Sequence, residues 1–173
     1  PPRLISSAAS DVYKRQGLRF KNDGYTKLKP FIKIHDKPMI YWVCKMFPNE
    51  EIELILREHH TKNHKYILTD LKRYCSNVKL HVVKSWKKLG PVNDVYQIIK
   101  NDSNSDEPIL ISYCDFYAQW DINKFKRLIH HHKPDGVIPC YTGFHPHLLH
   151  PENLYATCKS DSKYNLIEIR EKH

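Results

Sequence analysis

Basic side chains and a glycine near the start of the chain have the types and the order needed to hold phosphate groups. Gly17 and Arg19 are followed further along by Lys29. A nucleoside triphosphate needs cations and backbone N–H groups close to its phosphates, and a glycine-containing basic loop supplies both. Taken alone, however, Lys29 would more often be a surface lysine, so this segment predicts phosphate binding only together with other motifs.

Asp115 is the carboxylate best placed for chemistry. It follows the apolar run Ile109–Tyr113, and such a run is typical of a central parallel strand. Open α/β sheets bind ligands at the carboxyl edge of their strands. A carboxylate at that edge can hold Mg²⁺ while the metal bridges phosphates. The alternative is an aspartate that only caps a turn.

Three further segments hold glycines or charged residues next to predicted helices and strands. They are Gly90, Pro91 and Val92 in a turn before a predicted helix, Gly143 in a loop, and Glu171 and Lys172 after a predicted strand. Two of them have an ordinary structural explanation, because Gly-Pro is a common turn and charged residues after a strand are unremarkable.

The order of the motifs resembles the signature of the nucleotidyltransferases that load sugar phosphates onto nucleotides. The matching segments are Gly17-Leu18-Arg19-Phe20, Lys29-Pro30-Phe31 and Asp36-Lys37-Pro38-Met39-Ile40. The resemblance covers nearly all of residues 17–172. It implies an α/β domain with a Rossmann-like, three-layer architecture and a mostly parallel central sheet, like that of nucleotide-diphospho-sugar transferases and glycosyltransferase-A enzymes.

The resemblance implies the reaction NTP + sugar-1-phosphate → NDP-sugar + pyrophosphate, with Mg²⁺ as cofactor. The segment Cys114–Asp121 resembles variants known from cell-surface polysaccharide pathways. The family resemblance implies these roles: Arg19 on the triphosphate, Lys29 on the α-phosphate and the incoming sugar phosphate, Asp115 on Mg²⁺, Gly17, Leu18, Gly90, Pro91 and Val92 on the nucleotide, and Gly143, Glu171 and Lys172 on the sugar phosphate. The sugar, the base and the oligomeric state are left open.

The chain departs from the family pattern at both ends. The family's first strand and first glycine should lie just upstream of Gly17 and are missing. Ser6–Gln16 instead resemble the translated adapter of transposase-based sequencing libraries, so we interpret residues 1–16 as a non-native segment and 17–173 as a partial domain. The family's second metal-binding aspartate normally comes after the point where this chain ends. We therefore expect the 173-residue chain itself to be inactive.

Alternating strands and helices must position these residues, and this alternation predicts βαβ units and a parallel sheet. Predicted strands cover 31–34, 53–57, 78–83, 109–113, 136–141, 153–158 and 164–170. Predicted helices begin near Pro38, His64, Pro91 and Asp121, with Asn63 and Asp121 as candidate caps.

Composition limits the classes of partner. The formal net charge is +9, but the lysines are scattered and no arginine-rich block stands out, so we expect no nucleic-acid partner. No apolar run approaches the roughly 18 residues that span a bilayer. The five cysteines are an odd number without C-x-x-C spacing, which favours a reducing, cytoplasmic setting.

Two other functions remain open at this point. A glycosyltransferase-A enzyme using an NDP-sugar also places an aspartate after a central strand. It usually has D-x-D there, whereas this chain has Asp115-Phe116-Tyr117. A non-catalytic basic module for nucleic acid would need a clustered basic face and would bind with a steep dependence on salt.

Overall fold

The computed structural model of the chain describes residues 3–7, 22–75, 77–84, 90–100, 108–143 and 156–171, with the backbone alone at 3–7, 59, 63 and 171. Within these residues the fold is mixed α/β. The chain divides into two compact units, Pro1–Arg127 and Leu128–His173, and each is described by itself below.

The strands are β1 (Arg3–Ser7), β2 (Lys33–Ile34), β3 (Lys37–Pro38), β4 (Ile52–Arg57), β5 (Val78–Val83), β6 (Ile109–Tyr113), β7 (Ala156–Ser160) and β8 (Leu166–Glu171). The helices are α1 (Met39–Lys45), α2 (Glu58–Asn63), α3 (Tyr66–Tyr74), α4 (Pro91–Ile99) and α5 (Ile122–His132), and a 3₁₀ turn covers Lys29–Phe31.

Four strands form a small sheet in the order β5-β4-β1-β6. Every neighbouring pair is parallel, and Ile5 of β1 is in register with Glu53 of β4 and with Ile111 of β6. β1 is therefore an interior strand.

The expectation that the sheet lacks its first strand is wrong for this chain. Arg3–Ser7 occupies the place between β4 and β6, inside the segment that the sequence analysis assigns to a non-native arm. Backbone pairing explains this, because an extended segment satisfies the N–H and C=O groups of two strands that would otherwise lack partners. The adapter origin of residues 1–16 stays a prediction.

The core lies around β4, where all six residues are buried. Alternate side chains of a strand point to opposite faces. Leu54 and Leu56 accordingly join a large cluster with residues of α1 and α3, whereas Ile55 packs with Val95 of α4 in a second cluster. Fully burying each such side chain contributes about 1.5–3 kcal/mol to the stability of the folded state. A strand predicted at 53–57 is thus confirmed and begins one residue earlier, at Ile52.

The predicted strand at 109–113 is confirmed in its bounds, but its expected central position is wrong. β6 ends the described sheet on one side, and Ile109, Ile111 and Tyr113 are exposed along one of its faces. The segment 136–141, expected to be a buried strand, is exposed and has no strand pairing among the described residues. Pro139 lacks the N–H that a central strand would have to donate.

Helix starts follow the sequence signals in part. Pro91 begins α4, and Asp121 caps α5 by accepting a hydrogen bond of 2.9 Å from the Lys124 N–H. The helix expected near His64 begins instead at Tyr66. Asn63 does not cap it, because Asn63 is the last residue of the separate helix α2.

The second unit contains an antiparallel hairpin of β7 and β8, in place of the two strands expected at 153–158 and 164–170. Asp161 holds its turn by accepting hydrogen bonds from the backbone N–H groups of Lys163 and Asn165, at 2.9 and 2.8 Å. The bond from the Asn165 amide also lowers the pKa of Asp161.

Candidate functional site

The carboxyl ends of parallel strands lie on one edge of the sheet, and the predicted residue Asp115 follows one of these ends. β4 ends at Arg57 and β6 ends at Tyr113, two residues before Asp115. Since the strands between and beside them run in the same direction, Arg57 and Asp115 belong to the same edge.

Asp115 lies between residues that pack against the core. Cys114 before it is only 2% exposed, and burial raises the pKa of the Cys114 thiol, which keeps it neutral. Beyond Asp115, the indole N–H of Trp120 donates to the Met46 carbonyl at 3.0 Å, and the Trp120 ring packs edge-on against Phe47. The carboxylate thus lies in a turn that is fixed to the core on both sides.

Lys29 is the first residue of the 3₁₀ turn, which is attached to α3 by three contacts. Phe31 is buried and packs edge-on against Tyr66. The Tyr66 hydroxyl accepts a hydrogen bond of 2.8 Å from the Leu28 N–H, and Lys27 forms a 2.9 Å ion pair with Asp70. These contacts fix the backbone from which the Lys29 side chain extends.

Lys29 and Asp115, far apart in the sequence, meet in the structure. The Lys29 Nζ lies 2.8 Å from Asp115 Oδ2, and the two side chains are 32% and 14% exposed. The pair joins a cation suited to phosphate with a carboxylate suited to a metal ion, at the edge where α/β sheets bind ligands. Two of the residues predicted from the sequence are therefore brought together.

The turn Gly90-Pro91-Val92 begins α4 and is connected to the same edge through a buried ion pair. Gly90 has φ +91°, which favours glycine. Asp94 Oδ2, in the first turn of α4, accepts hydrogen bonds from Nε and Nη2 of Arg57 at 3.4 and 3.3 Å. Both side chains are almost fully buried, so the pair fastens the start of α4 to the end of β4.

Val92, Gly143 and Glu171 are the remaining predicted residues that the structure describes. Val92 is 79% exposed, and Gly143, with φ +110°, belongs to the second unit. Glu171 is the last residue of β8, where the backbone alone is described. Four predicted residues lie outside the described residues: Gly17, Leu18, Arg19 and Lys172.

Asp115 is the described residue that would contribute a carboxylate to a magnesium site completed by a phosphate ligand. Mg²⁺ is commonly bound through one or two carboxylates together with substrate phosphates and water. Asp115 supplies one carboxylate, and its contact with Lys29 shows that positive charge is accommodated there. The described part of the chain contains no group of three or more His, Cys, Asp or Glu that could hold a metal ion without such a ligand.

Sequence reasoning missed the residues that support the site. Arg57 could have been identified from the sequence, because it ends an apolar strand at the edge where open α/β sheets bind ligands. In the sequence alone, Asp94 is an ordinary acidic residue in the first turn of a helix, and Tyr66 belongs to an apolar helix face. Only the folded chain shows that Asp94 reaches Arg57 and that Tyr66 holds Leu28.

Comparison of the chain with protein-family models and with curated proteins gives no match. Among the described residues, no helix is both long enough and apolar enough to cross a membrane. The proposed function therefore rests on the residues of the chain itself.

Proposed function

We propose that this chain carries the nucleotide-binding part of a sugar-phosphate nucleotidyltransferase, which transfers a nucleotidyl group from an NTP to a sugar-1-phosphate and releases pyrophosphate. The observation that carries the proposal is the 2.8 Å contact between Lys29 and Asp115. The motif resemblance assigned these two residues to the α-phosphate and to Mg²⁺, ligands that are themselves adjacent in a metal-bound nucleotide.

The topology of the sheet supports the proposal. Numbered along the chain, the parallel strands lie in the order third, second, first, fourth. This is the order of Rossmann-like sheets, whose ligands bind where the strand order reverses, outside the carboxyl ends. Asp115 follows the strand on one side of that reversal. The apolar clusters on the two faces of β4 support a three-layer arrangement.

In the proposed reaction, an oxygen of the sugar phosphate attacks the α-phosphorus in line with the departing pyrophosphate. Such a transfer depends on positioning and charge neutralisation more than on a protein nucleophile. Lys29 would neutralise charge on the α-phosphate, and Arg19 would do so on the leaving pyrophosphate. Asp115 would hold Mg²⁺, which when bound offsets charge on the phosphate oxygens.

The turn at Gly90 is the proposed contact for the nucleotide. Gly90 carries no side chain, so its backbone can approach a ligand closely, and Arg57 and Asp94 fix the helix that follows. Gly143, Glu171 and Lys172 remain the proposed contacts for the sugar phosphate. A cytoplasmic location and a role in polysaccharide assembly belong to the same proposal, since the substrates are soluble nucleotides and sugar phosphates.

Nucleotide binding by the full 173-residue chain tests the proposal before any turnover is required. Calorimetric titration with CTP, UTP, GTP and dTTP, each with and without Mg²⁺, should reveal binding of at least one triphosphate. Lys29→Ala should weaken that binding roughly tenfold or more, because a charge-assisted bond to phosphate is lost. Asp115→Asn should remove the part of the affinity that depends on Mg²⁺.

Lys124→Ala is a matched control, because Lys124 is an exposed lysine on α5. It should leave the affinity unchanged. The proposal fails if no triphosphate binds with Mg²⁺, or if Lys29→Ala and Lys124→Ala have equal effects. We expect no pyrophosphate release from the chain by itself, and the same titrations can be followed by a pyrophosphate assay to check this.

The reaction products distinguish the glycosyltransferase alternative from the proposed nucleotidyltransferase. An NDP-sugar-dependent enzyme would release free or transferred sugar and no pyrophosphate. The nucleic-acid alternative is separated by its salt dependence, because such a module would bind DNA or RNA with an affinity that falls steeply as the salt concentration rises.

A further inference from the structure

Two cysteine thiols of the first unit are in direct contact. The Sγ atoms of Cys44 and Cys75 are 3.4 Å apart, with Cys44 donating a hydrogen bond to Cys75. Cys44 is near the end of α1, and Cys75 directly follows α3. Both are free thiols in this structure. A bonded pair would have its sulfurs about 2.05 Å apart, so only a small further approach is needed.

The surrounding contacts hold the two segments side by side. Tyr41 lies one helical turn before Cys44, so it is on the same face of α1. Its ring packs edge-on against Tyr74, the neighbour of Cys75, with centroids 6.4 Å apart. The Lys37 ammonium lies over both rings, at 5.7 and 5.2 Å. The approach of the two sulfurs is therefore supported by the packing of these neighbouring side chains.

The two thiols differ in ionisation. The hydrogen bond between them raises the pKa of Cys44 and lowers the pKa of Cys75, because the donated proton stabilises a thiolate on Cys75. A thiolate is the reactive form of cysteine towards oxidants. Cys75 is 7% exposed and Cys44 is half-buried, so a small oxidant is the reagent with access.

We propose that Cys44 and Cys75 form a reversible intramolecular disulfide when the protein meets a peroxide. The Cys75 sulfur attacks a peroxide oxygen, the O–O bond breaks, and the departing hydroxide takes a proton to become water. The Cys44 sulfur then loses its proton and attacks the sulfenic sulfur, and the S–O bond breaks with release of a second water. Two thiols lose two electrons and two protons, and one hydrogen peroxide becomes two waters.

The other cysteines provide internal comparisons. Cys114 is fully buried, and burial raises the pKa of its thiol, so it should stay reduced. Cys140 and Cys158 belong to the second unit and are exposed, and their thiols also contact each other. Any bond between Cys140 and Cys158 must therefore be distinguished from the proposed one by peptide mapping.

The test treats the folded 173-residue protein with hydrogen peroxide, blocks remaining thiols with iodoacetamide, and maps the digest by mass spectrometry without reduction. A peptide pair joined through Cys44 and Cys75 is expected, and it should disappear after dithiothreitol. Protein oxidised in 6 M guanidinium should give no preference for this pairing, because the folded contacts are absent there. In Cys44→Ser, oxidation of Cys75 should stop at the sulfenic acid, which dimedone labels.

The proposal is overturned if Cys44 and Cys75 are both recovered alkylated under peroxide that oxidises Cys140 or Cys158. It is also overturned if the unfolded chain forms the same pair in equal yield. Because the wild-type map decides both outcomes, a variant that fails to fold does not affect the result.

Discussion

Two ion pairs of the first unit show how burial determines the contribution of an ion pair to stability. Lys29 and Asp115 are 32% and 14% exposed, whereas Arg57 and Asp94 are 5% and 7% exposed. A pair that solvent still reaches contributes up to about 1 kcal/mol. Breaking a fully buried pair costs about 3–5 kcal/mol, because one charge is left without compensation. The partly open pair can therefore exchange its partner for a ligand, and the buried pair cannot.

Asp94→Asn should consequently destabilise the protein much more than Asp115→Asn. We expect a loss of about 3 kcal/mol in the free energy of unfolding for Asp94→Asn and about 1 kcal/mol or less for Asp115→Asn. Urea unfolding followed by circular dichroism measures both. Lys62→Ala, which removes a surface pair with Glu58, serves as the control and should leave the free energy of unfolding almost unchanged. Similar losses for Asp94→Asn and Asp115→Asn would contradict this ranking.

Tyr66 gives a prediction that depends on pH. Burial raises the pKa of Tyr66 above its ordinary value of 10.0, so the folded protein binds the phenolic proton more tightly than the unfolded chain. The resulting stability is fully present below about pH 10 and is lost as the pH rises through the folded-state pKa. Tyr66→Phe removes this dependence and also the acceptor for the Leu28 N–H.

The free energy of unfolding of Tyr66→Phe should therefore be about 1 kcal/mol lower than that of the wild type at neutral pH. This difference in unfolding free energy should become smaller above pH 10. Unfolding by urea at a series of pH values tests this. Tyr164→Phe is the control, since Tyr164 is 90% exposed. A difference that stays constant up to pH 11 would show that Tyr66 contributes only through its hydrogen bond.

At the scale of elements, the tight hairpin of β2 and β3 positions the chain between the Lys29 turn and α1. Its two turn residues, His35 and Asp36, have φ +48° and +61°. Two-residue hairpins with both central residues in the left-handed region favour glycine at the second position. The Trp42 indole N–H donates to the Ile34 carbonyl at 3.0 Å and ties the hairpin to α1.

Asp36→Gly should thus raise the free energy of unfolding, by up to about 1 kcal/mol, because an L-residue pays a steric cost in the left-handed region. Thermal unfolding measures the gain. Asp135→Gly is the control: Asp135 is exposed and has no positive φ, so glycine there should bring no gain. Equal stabilisation by the two glycines would rule out the turn as the cause.

At the scale of the whole molecule, the sequence predicted the bounds of helices and strands better than it predicted which strands pair and which distant residues are in contact. The bounds of β5 and β6, the start of α4 and the cap of α5 were correct, because periodicity and capping residues are local signals. The pairing of Arg3–Ser7 was missed, since a segment set aside for its origin still carries the backbone groups that a sheet needs. The motif resemblance assigned Lys29 and Asp115 to separate ligands, and their direct contact was not predicted. The Arg57–Asp94 pair was not predicted either, because a buried contact between distant residues leaves no local pattern.

β6 determines how the protein should behave at high concentration. Its outer edge has no partner among the described strands, and Ile109, Ile111 and Tyr113 present a row of apolar side chains beside that edge. Unpaired N–H and C=O groups next to apolar surface form a template for strand addition from another molecule. Natural proteins commonly block such edges with lysine.

Ile111→Lys should therefore improve colloidal stability without a large loss of folding stability, because Ile111 is 58% exposed. Static light scattering over a concentration series should show weaker self-association for Ile111→Lys than for Val92→Lys, which places the same charge at an exposed apolar site on α4. If the two variants scatter alike, added charge alone accounts for the effect. If only Ile111→Lys stays dispersed, the open edge of this sheet sets the upper limit of solubility for the protein.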